Sequence, residues 1–174
     1  MAGNLNTPLT VGNKFYSEDD FQYETDLMME YLEGDLNQTI VLYAVDRTKT
    51  NLNTVYKETR NNGVRFKPPV EIPCLFEIKE ADLKSYDSKS SNGVYTISGP
   101  LTVWMMPKML KKYKAEISRG DYIGVPIDTG RMVYFVVTND GKVNTSNNLR
   151  IGAYKVAWRV ITAAPVDDSE FSGK

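Results

Sequence analysis

The sequence predicts a mainly β protein with minor α content: a small antiparallel β-barrel or sandwich, preceded by an acidic amphipathic helix and interrupted by a short basic one. Three observations predict it. Apolar residues recur at helical spacing over residues 17–34, and from residue 39 onward the period shortens to two. Five to seven short β-rich runs follow, separated by clusters of Gly, Pro, Asn and Asp at the spacing typical of barrels and sandwiches. At 174 residues the chain has the length of one domain. A fold of that size hides about 70% of its unfolded surface and needs no disulfide or metal to hold it.

The helix at 17–34 opens on Ser17 as N-cap, with Asp20 three residues on in a capping box. Glu18, Asp19 and Asp20 fall in its first turn, where the helix dipole favours negative charge. Phe21, Leu27, Met28, Tyr31 and Leu32 are expected to form the buried stripe, with Gly34 as the stop. Glu24, Asp26, Glu30 and Glu33 are assigned to the opposite face.

Thr39–Val45 reads as a buried strand and Val70–Ile78 as another, which Pro73 marks as an edge strand or a bulge. Between them lies a polar segment, 46–63, long for a connector and so expected to have a function of its own. Val94–Ser98 and Leu101–Met106 are strands flanking Gly99-Pro100, and Pro107 starts a helix of two or three turns reaching Ile117. Tyr122–Ile127 and Arg131–Thr138 form a hairpin about Asp128-Thr-Gly130, and Tyr154–Ile161 is the closing strand. The resulting organisation is an arm (1–16), a helix (17–35), a β domain (36–164) and an acidic tail (165–174). The polar ends and the edges near Pro73 and at Tyr154–Ile161 suggest arms that lie on neighbouring subunits.

Composition removes several functions. With no histidine and a single cysteine, Cys74, the chain cannot build a zinc finger, a Ser-His-Asp triad or an intramolecular disulfide, and no cofactor is expected. A balance of 21 Lys+Arg against 22 Asp+Glu argues against a mainly electrostatic nucleic-acid binder. The N-terminus has neither the basic nor the apolar region of a secretory leader, and no run is long enough to span a membrane. The chain is therefore expected to be made in a cytoplasm and to have no membrane partner.

Asp128-Thr129-Gly130 matches the triplet by which dimeric, retropepsin-like aspartic proteases pair two carboxylates around one proton. Arg131 opposes that reading, because its charge would hold the aspartate ionised, and Asp and Gly are ordinary turn residues. Arg119-Gly120-Asp121 spells an adhesion tripeptide but stands where a turn must precede a strand.

Charge is distributed more tellingly. Residues 18–35 hold eight acids and no base, whereas Lys108, Lys111, Lys112 and Lys114 crowd one short segment. Solvation explains both equally well. The alternatives are that the basic helix meets an acidic one, within the chain or on a neighbour, or that a ring of such helices faces DNA in a channel.

Three stretches carry a family resemblance. The first is Asp46-Arg-Thr-Lys-Thr and Val55-Tyr-Lys-Glu58, leading to Phe66-Lys-Pro-Pro-Val-Glu-Ile-Pro73. The second is Ser98-Gly-Pro-Leu-Thr-Val-Trp-Met-Met-Pro-Lys-Met-Leu110. The third is Ile117-Ser-Arg-Gly-Asp-Tyr-Ile123, running to Arg131-Met-Val-Tyr-Phe-Val-Val137 and Tyr154-Lys-Val-Ala-Trp-Arg-Val160. Their succession, over roughly residues 40–162, resembles the neck proteins of tailed bacteriophages, the head-completion or head-to-tail connector rings beneath the portal. The resemblance implies a virion structural protein without enzymatic activity. It implies a homo-oligomeric ring, contacts with a portal or adaptor ring above and with the tail or the next ring below, and non-specific contact with DNA in the channel. A tail or baseplate position is the nearest alternative. On this reading Glu24, Glu30 and Glu33 would pair with Lys108, Lys111, Lys112 and Lys114 of a neighbour. The 46–63 segment, with Arg47, Lys49 and Tyr56, would contact a partner.

Overall fold

The computed structural model describes residues 16–50, 64–79, 99–128, 131–143, 150–151 and 155–166, of which residues 127, 128, 131, 150 and 151 are described by backbone alone. Among these, helix α1 spans Glu18–Tyr31 and continues through a π-helical turn, Leu32–Leu36. Strands β1 (Thr39–Tyr43), β2 (Val70–Pro73), β3 (Leu75–Ile78) and β4 (Leu101–Met105) precede helix α2 (Pro107–Lys112). Strands β5 (Tyr122–Asp128), β6 (Arg131–Asn139), β7 (Arg150–Ile151), β8 (Lys155–Val156) and β9 (Arg159–Pro165) follow.

Seven strands form one antiparallel sheet in the order β2-β1-β5-β6-β9-β4-β3, and β7 pairs with β8 in a separate two-stranded ladder. The two edge strands, β2 and β3, are consecutive in the chain and separated by Cys74 alone. Laid flat, seven strands would hold their edges roughly 29 Å apart, while one residue advances the chain by about 3.8 Å. The sheet must therefore curl until its edges meet at Cys74, giving an open, barrel-like fold in which no ladder joins β2 to β3. Pro73 fits this corner because an edge strand can spare its N–H, and the Cys74 amide is satisfied by Gln38 O at 3.0 Å.

Alternation fills the interior. Ile40 and Leu42 of β1, Leu101, Val103 and Met105 of β4, Ile123 and Val125 of β5, Phe135 and Val137 of β6, and Ile161 and Ala163 of β9 all point inward and are buried. Met29 and Leu32 from α1 and Met109 and Leu110 from α2 join the same core.

Several sequence expectations change. Gly34 does not stop the first helix: the chain passes through it in the π turn, and Asn37, left-handed at φ 48°, ends the run. Helix α2 is six residues long and does not reach Ile117, because Lys114 turns left-handed at φ 51° and Ala115 N bonds back to Leu110 O. The closing strand expected at Tyr154–Ile161 is broken at 157–158: Lys155–Val156 is β8 of the two-stranded ladder, while β9 lies between β6 and β4, is not an edge and runs on to Pro165, opposite Phe135. An added arm would thus find no free ladder along β9. The expected strand at Val94–Ser98 lies outside the described residues, as do the arm at 1–15 and most of the acidic tail.

Candidate interaction surface

Helix α1 begins as its sequence dictates. The Ser17 side chain accepts from Asp20 N at 3.2 Å, and the Asp20 carboxylate accepts from Ser17 N at 2.8 Å, closing the capping box. The Ser17 hydroxyl also donates to Asp20 Oδ2 at 2.7 Å, and this bond together with that from the Ser17 amide holds the Asp20 carboxyl below its ordinary range. At 100° per residue, Phe21, Thr25, Met28, Met29 and Leu32 share one face, and this is the face turned to the core. Thr25, nearly fully buried, satisfies its hydroxyl on Phe21 O at 2.8 Å.

Leu27 and Tyr31 do not belong to that stripe. Tyr23, Leu27 and Tyr31 stand at i, i+4 and i+8 on roughly the opposite side, 70%, 55% and 52% exposed respectively. The helix is therefore apolar on two faces, and the outward one also bears Asp19 and Glu30. Spacing alone could not separate the two diagonals, since Leu27–Tyr31 and Met28–Leu32 are both i,i+4 pairs. Burial separates them.

Helix α2 opens on Pro107 at its first turn and lies beside α1. Lys108 Nζ reaches Asp26 Oδ1 at 2.6 Å and also donates to Gln22 at 2.8 Å. Lys112 Nζ grips both oxygens of Glu33 at 2.6 and 2.7 Å, and Tyr113 OH donates to Glu33 Oε1 at 3.2 Å. The hydrogen bond from Lys112 holds the Glu33 carboxyl below the usual carboxylate range, and the same contact raises the Lys112 ammonium. Burial, with Glu33 adding to it, raises the Tyr113 phenol. Lys155 makes a third link, to Glu18, with its ammonium 5.8 Å from the Phe21 ring.

These contacts redirect the expected pairing. Glu33 with Lys112, and Lys108 with Asp26, are joined inside one chain rather than between subunits, because the shared core brings α1 and α2 side by side. Glu24 accepts from Tyr16 OH at 2.7 Å. Burial and that carboxylate push the Tyr16 phenol up to about 12. Glu30, Lys111 and Lys114 are exposed and make no ion pair among the described residues. Between the helices an open cleft of about 380 Å³ is lined by Asp26, Met29, Glu30, Glu33, Gly34 and Lys112. Asp26 and Glu33 are already engaged by Lys108 and Lys112, so Glu30 is the lining carboxylate left to meet a cationic side chain whose stem can lie on apolar surface.

The start of the 46–63 segment is folded back on the barrel. Asp46 Oδ1 accepts from the Thr48 amide and hydroxyl, which holds its carboxyl low, and Asp46 N donates to Arg65 O at 2.7 Å. Arg47 donates to Arg119 O at 3.0 Å, and Lys49 lies 3.7 Å from Asp46 while remaining largely exposed. Tyr56 lies outside the described residues.

Arg119-Gly120-Asp121 is the expected turn, and its aspartate has a role the sequence did not disclose. Asp121 is 3% exposed; its carboxylate accepts from Val45 N at 3.0 Å and from Ser118 N at 2.7 Å. It ties the end of β1 to the start of β5, leaving no carboxylate for a receptor. Asp128 pairs with Arg131 across the β5–β6 hairpin, while Thr129 and Gly130 lie outside the described residues. Neither Trp104 nor Trp158 is fully exposed; Trp158 packs against the core. On the outer face of β1, β5 and β6, the rings of Tyr43, Phe66, Tyr122 and Tyr134 meet edge to face at 5.5–6.1 Å.

Compared with models of known protein families and with curated proteins, the chain gives no match. Among the described residues, no helix is long and apolar enough to cross a membrane.

Proposed function

We infer that this chain is a structural protein of a tailed bacteriophage, a ring-forming subunit of the neck that joins the portal or an adaptor ring to the tail. Two lines support the reading. One is the resemblance carried by the three stretches within residues 40–162. The other, which carries it on physical grounds, is the second apolar stripe of α1: Tyr23, Leu27 and Tyr31 held outward on a barrel whose core is already filled. A free monomer gains nothing from presenting two tyrosines and a leucine to water, whereas a ring subunit must offer its neighbours two different faces.

The work assigned to the chain is assembly. It would oligomerise around the channel through which DNA passes, with the surfaces above and below it meeting the portal side and the tail side. The outward lysines would then sit close enough to neighbours, or to DNA, for ring symmetry to multiply their charge. Disrupting the gene in the phage that encodes it tests the reading. Loss of the protein should yield DNA-filled heads and separate, complete tails that fail to join. Normal tailed particles would refute the neck assignment, and defective tails on a failed baseplate would move the protein to that end of the particle.

A further inference from the structure

The outward face of α1 and the unpaired lysines at α2 complement each other in chemistry but belong to different elements of the chain. Tyr23, Leu27 and Tyr31 form an apolar ladder along about 12 Å of helix, bordered by Asp19 and Glu30. At their observed exposures the three side chains offer roughly 280–400 Å², given the 150–250 Å² that an aromatic residue can bury. A patch of that size is large enough to mark an interaction site, and is about half of one side of a standard interface. Its rim is acidic, and Glu30 also lines the adjoining cleft of about 380 Å³, where Asp26 and Glu33 are held by Lys108 and Lys112.

A partner for this face needs long cationic side chains that can lay their stems on tyrosine and leucine and bring their heads to Glu30. The chain itself carries such groups. Lys108 and Lys112 are committed to α1 of the same molecule, but Lys111, roughly a quarter-turn round α2, and Lys114, just beyond its end, are exposed and unpaired among the described residues. Lys114 is held outward by a left-handed backbone at φ 51°.

We propose that the outward face of α1 docks a second copy of this chain head to tail, receiving that copy's Lys111 and Lys114 beside Glu30, with Tyr23, Leu27 and Tyr31 as the apolar anchors. The proposal rests on the self-assembly named above and specifies the surface that carries it. In each molecule α1 then has α2 of its own chain on one flank and α2 of the next chain on its outer face. Acidic and basic helices alternate around the assembly. Such a contact uses two different faces, so it propagates until rotation closes it into a ring. The inner ion pairs fix the spacing of the two helices, and the outer contact reads that spacing.

The lone native cysteine makes a direct test available. Cys74 is 1% exposed and burial pushes its thiol up to about 12, so it stays out of disulfide exchange in the folded protein. Full-length chains bearing Glu30→Cys and Lys111→Cys are mixed and gently oxidised. The mixture should give a reducible dimer that neither variant gives alone, and the double variant should give a ladder of higher multimers. Adding Leu27→Asp to the Glu30→Cys chain should lower the cross-linked yield, and weaken self-association in sedimentation, at least about tenfold, as loss of one interface anchor does. Measured on dilute, monomeric protein, its thermal melting should not change, because Leu27 is exposed in the single chain. Three results would overturn the proposal. A wild-type chain that sediments as a monomer at all accessible concentrations would remove self-docking altogether, while leaving the gene-disruption test to decide the neck reading. Oligomers that form but do not cross-link in the mixture would reject this face and leave ring assembly standing. A dimer from Glu30→Cys alone, equal to that from the mixture, would mean a symmetric face-to-face contact.

Discussion

Replacing Asp121 with alanine removes a buried carboxylate that serves two backbone amides, Val45 N at 3.0 Å and Ser118 N at 2.7 Å. The carboxylate is buried, with Asp121 3% exposed. Each amide loses a charged acceptor and gains no water in return, at a cost of about 1–3 kcal/mol per orphaned group. Taking the middle of that range for both gives about 4 kcal/mol. For a chain of this length each kcal/mol lowers the melting temperature by about 2–4 °C, so a fall of roughly 8–16 °C is expected. Asp121→Asn keeps one acceptor oxygen and turns an NH2 towards the other amide, and should fall between alanine and the wild type. Differential scanning calorimetry on the three proteins measures the series. An alanine variant melting within about 2 °C of the wild type would refute the latch, and would free the Arg-Gly-Asp turn for another role.

Gly141 sits at φ 64°, and a Cβ there would lie 2.1 Å from Val160 O, so Gly141→Ala should cost at least about 2 kcal/mol in a urea titration. Gly34, with nothing within 4 Å of its would-be Cβ, should accept alanine without loss. For the Glu33–Lys112 pair, the depressed Glu33 carboxyl contributes stability that is present above the ordinary glutamate range and is lost as pH falls through its lowered native value. The raised Lys112 ammonium contributes stability that is present below the ordinary lysine range and is lost as pH rises through its raised native value. Glu33→Gln should therefore flatten the acid side of a melting-temperature-against-pH curve and remove the contribution at the alkaline side. Unchanged curves would mean that solvent screens the pair out.

What the sequence disclosed and what it withheld divide along the range of the interactions involved. The capping box at Ser17 and Asp20, the proline at the start of α2, the β5–β6 hairpin and the alternation of the core strands are set by neighbours a few residues apart, and these were legible. Pro73 announced an edge, but not that a single residue joins both edges of one sheet. That fact depends on strand order, which is a property of the whole chain. The closing strand read as an exposed edge for the same reason, because alternation shows which face is buried and says nothing about which strands lie alongside. On α1 the residues Leu27 and Tyr31 were placed with the core because apolar side chains occupy two adjacent diagonals, and only packing against the barrel decides between them. For the acidic and basic helices the sequence leaves solvation, pairing and contact with DNA open alike. That Glu33 meets Lys112 within one molecule, 79 residues apart in sequence, followed only from where the core holds the two helices. Asp121 looked like a turn residue and is one, but the amide of Val45, 76 residues earlier, could not be foreseen as its partner.

The central claim is that this chain is a multi-copy building block of a virion, and the most direct measurement is its stoichiometry in gradient-purified particles of the phage that encodes it, counted by quantitative mass spectrometry against the major capsid protein. The account predicts a fixed, ring-sized number of copies per particle that stays with intact virions and separates from isolated tails. A protein confined to the soluble lysate, or present at far less than one ring per particle, would contradict it.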